Sequence, residues 1–322
     1  MYENEHCTTV LFNTPEDQAR AVPQLDQDYF QTGPGCFHGS VQQFHLGGDA
    51  FAYRERLNVP VLQEGATKKG WRLFAIPMLA TSTSTLAGRA IDARAMIGHL
   101  AGGREFLGQT AGTSDHIGIV LCDSLFEVYA DYLGGSRSLS WSGQHLLEIR
   151  QLALRRASQG IGQCIRAAEE NPVALEFEQA RKALRDDLLE YLFCLLIDAE
   201  PPRRQPDVTR YTYTDIVNRS RQYLLATPNE PTGVLELSRR LRVSRRTLQT
   251  AFLEVAGVTP HVYLRAIRLS SVRRLLLQNS VERLGIRDAA ARWGFVHMGK
   301  FAAEYRTMFG YLPSDTARPA SA

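Results

Sequence analysis

Cysteine, lysine and long apolar runs are all scarce in this 322-residue chain. Its five cysteines, Cys7, Cys36, Cys122, Cys164 and Cys194, are odd in number and never two residues apart. Neither a disulfide framework nor a zinc knuckle or redox pair is expected, and reduced, mostly buried thiols are. No stretch approaches the roughly 18 apolar residues of a membrane span, and the N-terminus lacks a basic segment followed by an apolar run, so a cytoplasmic protein is expected. A glycine-rich phosphate loop, a Gly-x-Ser-x-Gly elbow and a zincin motif are also missing. Catalysis is not expected.

Lysine stands only at 68, 69, 182 and 300, so nearly all of the 37 basic residues are arginine. Their distribution matters more than the net charge of +3. From Ile216 onward there are 17 Lys and Arg against 7 Asp and Glu, a balance of +10, which leaves 20 against 27, or −7, for residues 1–215. A domain-sized segment with that excess attracts a polyanion, because each neutralised phosphate releases counterions.

The hydrophobic period changes along the chain. Residues 1–145 read as a β-rich domain: "CFHGSVQQFHLGGDAFAYRERL" alternates apolar and polar residues about a Gly47-Gly48-Asp49 turn, and "WRLFAIPML", "HIGIVLC" and "LFEVYA" read as further strands. Residues 146–200 read as helices with a packing face, Leu184, Leu188, Tyr191, Leu192 and Leu195 lying on one side. Proline-rich residues 201–210 read as a linker, and 211–322 as all helical. The fold class expected is α+β, with a β-rich N-terminal domain carrying helices and an all-α C-terminal domain.

Within 211–322 a pattern repeats. Residues of about 234–255 and 286–309 each read as short helix, turn and second helix, joined by the helix "PHVYLRAIRLSSVRRLLLQN". A helix-turn-helix needs apolar residues behind its second helix and donors in front, near the N-terminus. In the first unit Ser244 can cap the helix, Leu248 and Phe252 face inward, and Arg246, Gln249 and Thr250 face out. Arg and Gln can read guanine and adenine bidentately, whereas Ser244 and Arg245 suit phosphates. In the second unit Phe301, Tyr305 and Phe309 form the back, and His297, Lys300 and Arg306 are the polar candidates. Gly299 and Ala303 offer almost no base contact, so this unit is expected to supply phosphate contacts and shape sensing. Trp293 and Phe295 read as core, and Arg273 and Arg274 as ion-paired or solvated.

"LSRRLRVSRRTLQTAF" with "YLRAIRL…RRLL" and "DAAARWGFVHMGKFAAEYRTMFGYLPS" resembles the DNA-binding domain of the AraC/XylS transcription regulators over about 100 residues. Arg268-Leu269, the Gly294-Phe295 turn and Phe309-Gly310-x-x-Pro313-Ser314 occur in family order. "VSRRTLQ" and "WGFxHxGxFAxxY" are most similar to the subgroup containing the ethanolamine-operon activator. The resemblance implies a regulator, usually an activator, working on promoter DNA with RNA polymerase. It further implies a cupin-like N-terminal barrel that binds a small effector, and helices that assist homodimerisation. The subgroup implies ethanolamine as effector with adenosylcobalamin. By composition, Phe44, Tyr53, Arg54, Glu55 and Trp71 are the candidates for lining an effector pocket. Cys36, His38 and His45 lack the His-x-His and following Glu of metal-binding cupins, so structural histidines and no metal are expected. The rival is an effector-independent DNA-binding protein whose N-terminal half is an assembly or partner module.

Overall fold

Polar–apolar alternation about a glycine turn produces the hairpin of β3 (Gly39–His45) and β4 (Ala50–Leu57), with Gly47 at φ +127° in the turn. The computed structural model describes residues 5–79, 84–110, 112–134, 143–197, 199–201, 208–227, 232–278 and 285–316. The hairpin follows β1 (Cys7–Phe12), α1 (Pro15–Ala19) and β2 (Leu25–Gln31). After it come β5 (Val61–Thr67), β6 (Trp71–Pro77), β7 (Thr85–Leu86), β8 (Arg89–Ala90), β9 (Met96–Leu100), β10 (Glu105–Gln109) and β11 (Ser114–Cys122). Then α2 (Asp123–Gly134), β12 (Leu146–Glu148), α3 (Gln151–Glu170) and α4 (Glu178–Ile197) complete the first half. The helical second half holds α5 (Val208–Ala226), α6 (Val234–Arg240), α7 (Arg245–Ala256), α8 (Pro260–Gln278), α9 (Ile286–Arg292), α10 (Met298–Phe309) and α11 (Pro313–Thr316).

The strands form two antiparallel sheets, ordered β1-β3-β4-β11-β6-β9-β12 and β2-β5-β10-β7-β8. Side chains alternate across a strand, so each sheet has two faces to bury. On β11, Ile117, Ile119 and Leu121 pack with Leu154, Ile161, Leu188 and Leu192 of α3 and α4, while Val120 turns toward Leu86 and Phe106 of the smaller sheet. On the far side of the smaller sheet, Phe30, Leu62 and Leu107 share one core with Leu248, Phe252, Val255 and Tyr263 of α7 and α8. Four layers result: helices, large sheet, small sheet, helices. Each fully buried Phe or Leu in that last contact contributes about 1.5–3 kcal/mol.

Three expectations change. The expected barrel is not closed among the described residues, where no ladder joins the two sheets. Each sheet instead ends in a very short strand, β12 of three residues and β8 of two, which limits the exposed edge without closure. "LFEVYA" is helical, not extended, within α2. Phe126 and Tyr129, three apart, stack on Phe193 of α4 at 5.5 and 5.2 Å, a contact that one helical face can make and a strand cannot. "HLLEI" is not the start of a helix, because Leu146–Glu148 pairs with Met96–Gly98, and α3 begins only at Gln151. Residues 202–207 of the expected linker lie outside the described residues, and α5 begins at Val208.

Candidate nucleic-acid interface

The two helix-turn-helix units repeat in backbone detail. Helices α6 and α9 are seven residues each, and α7 and α10 twelve each. In the first turn Arg242 N–H donates to Arg239 O at 3.1 Å and Val243 N–H to Ser238 O at 3.0 Å. In the second, Gly294 N–H donates to Ala291 O at 2.9 Å and Phe295 N–H to Ala290 O at 3.0 Å. Arg242 and Gly294 hold the same left-handed position, φ +56° and +80°, which a glycine adopts freely and an arginine only at a cost. Both second helices end on left-handed glycines, Gly257 and Gly310.

At the start of α7 the Ser244 hydroxyl accepts the Thr247 N–H at 3.0 Å, leaving the neighbouring N–H groups free for an anion. Neither α7 nor α10 carries an acid in its first turn, whereas α6 has Glu236 and α9 has Asp288. The positive ends of the two second helices are therefore not neutralised locally. Leu248 and Phe252 are fully buried, and Arg245, Arg246 and Gln249 are exposed on the opposite side. Thr250 is half-buried and its hydroxyl donates to Arg246 O at 3.0 Å, so mainly its methyl faces outward chemistry.

In the second unit His297 caps α10 without a side-chain bond to it and is exposed. Lys300 is exposed and 3.9 Å from Glu304, which also pairs with Arg265 of α8. Arg306 is exposed but lies in the last turn of α10, away from the end that would enter a groove. Val296, 82 % exposed just before α10, was not singled out by periodicity. A large apolar side chain left this exposed at a helix N-terminus suits a thymine methyl. Trp293 and Phe295 pack against the Leu269–Phe301–Phe309 core, Arg273 is buried against Glu16, and Arg274 donates to Asp28 at 2.7 Å. Between the units a cleft of about 400 Å³ is bordered by Arg265, Arg268 and Lys300 with His261 and His297, and by Glu304, which pairs with Arg265 and Lys300, so its basic residues outnumber its one acid.

A second cavity, of about 110 Å³, lies between the two sheets. Tyr53 and Glu55 border it together with Tyr29, Gln63, Phe106 and His116. Phe44, Arg54 and Trp71 do not. Phe44 is on the opposite face of the large sheet, against the α3–α4 layer. Arg54 alternates away from Tyr53 and Glu55 to grip Asp115 at 2.8 and 2.9 Å. Trp71, at the start of β6, packs on the edge of the Leu73–Leu100 cluster. Tyr29 and Gln63 come from strands that the sequence alone does not bring beside β4. Among the described residues no group of three or more His, Cys, Asp and Glu could hold a metal; His45 stacks near Phe51 at 5.1 Å.

Comparison with known proteins agrees with this geometry. A family model described as a helix-turn-helix domain matches residues 237–319. The chain is 39 % identical over 103 residues to a probable thc operon regulatory protein of Rhodococcus erythropolis, covering 32 % of this chain and 31 % of that protein. It is 43 % identical over 76 residues to the XylDLEGF operon transcriptional activator of Pseudomonas putida, covering 24 % of each. The match thus spans a third or less of the length of either relative. A solved structure of a probable AraC family transcriptional regulator from Rhodopseudomonas palustris is 31 % identical, with 33 % of this chain and 99 % of that chain covered and a TM-score of 0.29. The similarity is thus confined to the helix-turn-helix domain, which this chain shares with operon regulators and transcriptional activators.

Proposed function

We propose that this chain is a sequence-specific transcription activator whose hold on promoter DNA is set by a small effector in the cavity between its sheets. One observation carries the reading: the first recognition helix rests on the wall of that cavity. Leu62 and Leu107, on β5 and β10, are in one core with Leu248, Phe252 and Val255 of α7, and Gly88 beside β7 lies against Val255. Close-packed interiors transmit displacements, so a ligand that spreads these strands moves the helix that meets DNA. The effector shifts the equilibrium only by its different affinity for the two arrangements.

In this reading Ser244, Arg245 and the α7 N-terminus hold phosphates, and Arg246 and Gln249 read base edges. His297 and Lys300 position the second unit on the backbone. RNA polymerase is the further partner. A homodimer through the α3–α4 layer is supported by its exposed Leu152, Tyr191 and Ile197. Ethanolamine, the effector that the subgroup resemblance implies, is small enough for 110 Å³. Adenosylcobalamin, which the same resemblance implies, is too large for this particular cavity, since about 150 Å³ takes a benzene.

The test is binding of the purified chain to its own upstream DNA, titrated with salt, with and without ethanolamine. A steep fall of affinity with salt and a ligand-dependent footprint are expected. No DNA binding at low salt would overturn the regulator; a steep slope that no small ligand changes would favour the effector-independent rival.

A further inference from the structure

The cavity wall holds a buried carboxyl group to which, among the described residues, no lysine or arginine is paired. Glu55 is 2 % exposed. Its carboxylate accepts from Gln18 Nε2 at 2.8 Å, from Tyr29 OH at 3.0 and 3.1 Å, and from Gln63 Nε2 at 3.4 Å. All of these donors are neutral. His116 Nε2 is 3.4 Å away and carries charge only when protonated. Asp115, the other carboxylate on the cavity wall, is balanced by Arg54 and Arg56 on the outer side, which removes both arginines from Glu55. No lysine or arginine is among the described residues that border the cavity.

Burying a carboxylate without a cation is costly, and a ligand that brings the cation recovers that cost. At low effective dielectric the same charge repels an anion strongly. Tyr29, Tyr53 and Phe106 supply aromatic surface to the same space, a second attraction for an alkylated ammonium group. The volume of about 110 Å³ limits the ligand to a few heavy atoms.

Building on the effector reading, we infer that the cavity binds a small organic ammonium ion, its nitrogen against Glu55 and its alkyl groups against Tyr29 and Tyr53. Leu73, Leu86 and Leu100 add apolar wall, Gln63, Gln109, Thr110 and Ser114 add neutral polar groups, and Glu55 is the carboxylate there that no arginine takes up.

Calorimetric titration of the full chain tests this with four probes: tetramethylammonium, ethylammonium, the neutral tert-butanol and the small anion acetate. Binding of at least one ammonium probe roughly tenfold or more tighter than tert-butanol is expected, with no binding of acetate. Glu55→Gln should remove the preference for charge while His116→Gln keeps it, and circular dichroism checks that both variants fold. Equal binding of neutral and charged probes, preference for acetate, or no heat from either ammonium ion up to millimolar concentration would overturn the assignment. Parallel DNA titrations separate this from the wider reading. Ammonium binding without any effect on DNA affinity sinks the effector role alone, and a neutral ligand that changes DNA affinity sinks the ammonium class alone.

Discussion

A Cβ placed on Gly257 would stand 3.5 Å from Cγ of Gln109, so the left-handed cap of the first recognition helix rests on a residue that borders the cavity. Gln109 is itself fixed, donating to Thr32 Oγ1 at 2.8 Å and to Thr110 O at 3.0 Å. Gln109 thus joins the border of the cavity to the C-terminus of α7.

Gln109→Ala should weaken that link without touching the DNA face. The unliganded variant is expected to bind operator DNA within about twofold of the parent. The change induced by tetramethylammonium should shrink by about 1 kcal/mol, roughly fivefold. Fluorescence anisotropy with and without the ligand reads both quantities; an undiminished ligand effect would route the coupling elsewhere.

Arg273 of α8 reaches Glu16 of α1, 257 positions earlier, in an ion pair with both side chains buried. The guanidinium also lies over the Phe309 ring at 4.2 Å. Removing one partner strands a buried charge, at a cost of about 3–5 kcal/mol, unless the domains separate and let water reach it. Arg273→Met is therefore expected to split thermal unfolding into two transitions. The double variant Arg273→Met/Glu16→Leu should restore most of the cooperativity. A single, little-shifted melt for Arg273→Met would show that the pair does not hold the halves together.

Glu64 is on the face of β5 that meets the DNA-binding half, facing Arg221 of α5 and Tyr263 and Arg274 of α8, with Asp28 beside it on β2. Burial raises its pKa to about 7, against the opposing pull of Arg221. A carboxyl whose folded pKa is raised binds its proton more tightly in the folded state. Its contribution is fully present below the unfolded value near 4.5 and is lost as pH rises to about 7. The loss is bounded at about 3 kcal/mol. Urea unfolding at pH 5 and pH 7.5 should show the chain less stable at the higher pH, with the difference much reduced in Glu64→Gln. An equal difference in the variant would assign the slope to other groups.

Arg246→Ala should cost about 1–3 kcal/mol at one base position and relax preference there. Lys300→Ala should weaken binding to all sequences and lower the salt slope by about 1. Competition with specific and random duplexes separates the two effects. Equal losses on both duplexes for Arg246→Ala would remove its base-reading role.

The DNA-facing half was legible because its information is local. Helical faces follow from a 3.6-residue period, so Leu248 and Phe252 behind Arg246 and Gln249 could be placed without knowing what else the chain contains. The turn chemistry at Ser244 and Gly294 is equally local. Strand faces are different: a period of two separates side chains into two sets but does not say which set meets which neighbour. Tyr53 and Glu55 were distinguished from Arg54 only when the small sheet covered one side of β4 and Asp115 of β11 took up the arginine. The segment "LFEVYA" became helix because Phe126 and Tyr129 had Phe193 to stack on. Glu16 and Arg273 look like ordinary surface charges until helices α1 and α8 bury them together. The sequence by itself determined the repeated unit, its caps and its basic face. Tertiary packing alone decided the cavity, the placing of Glu55 on its wall and the joint between the halves, because those depend on contacts between residues far apart in the chain.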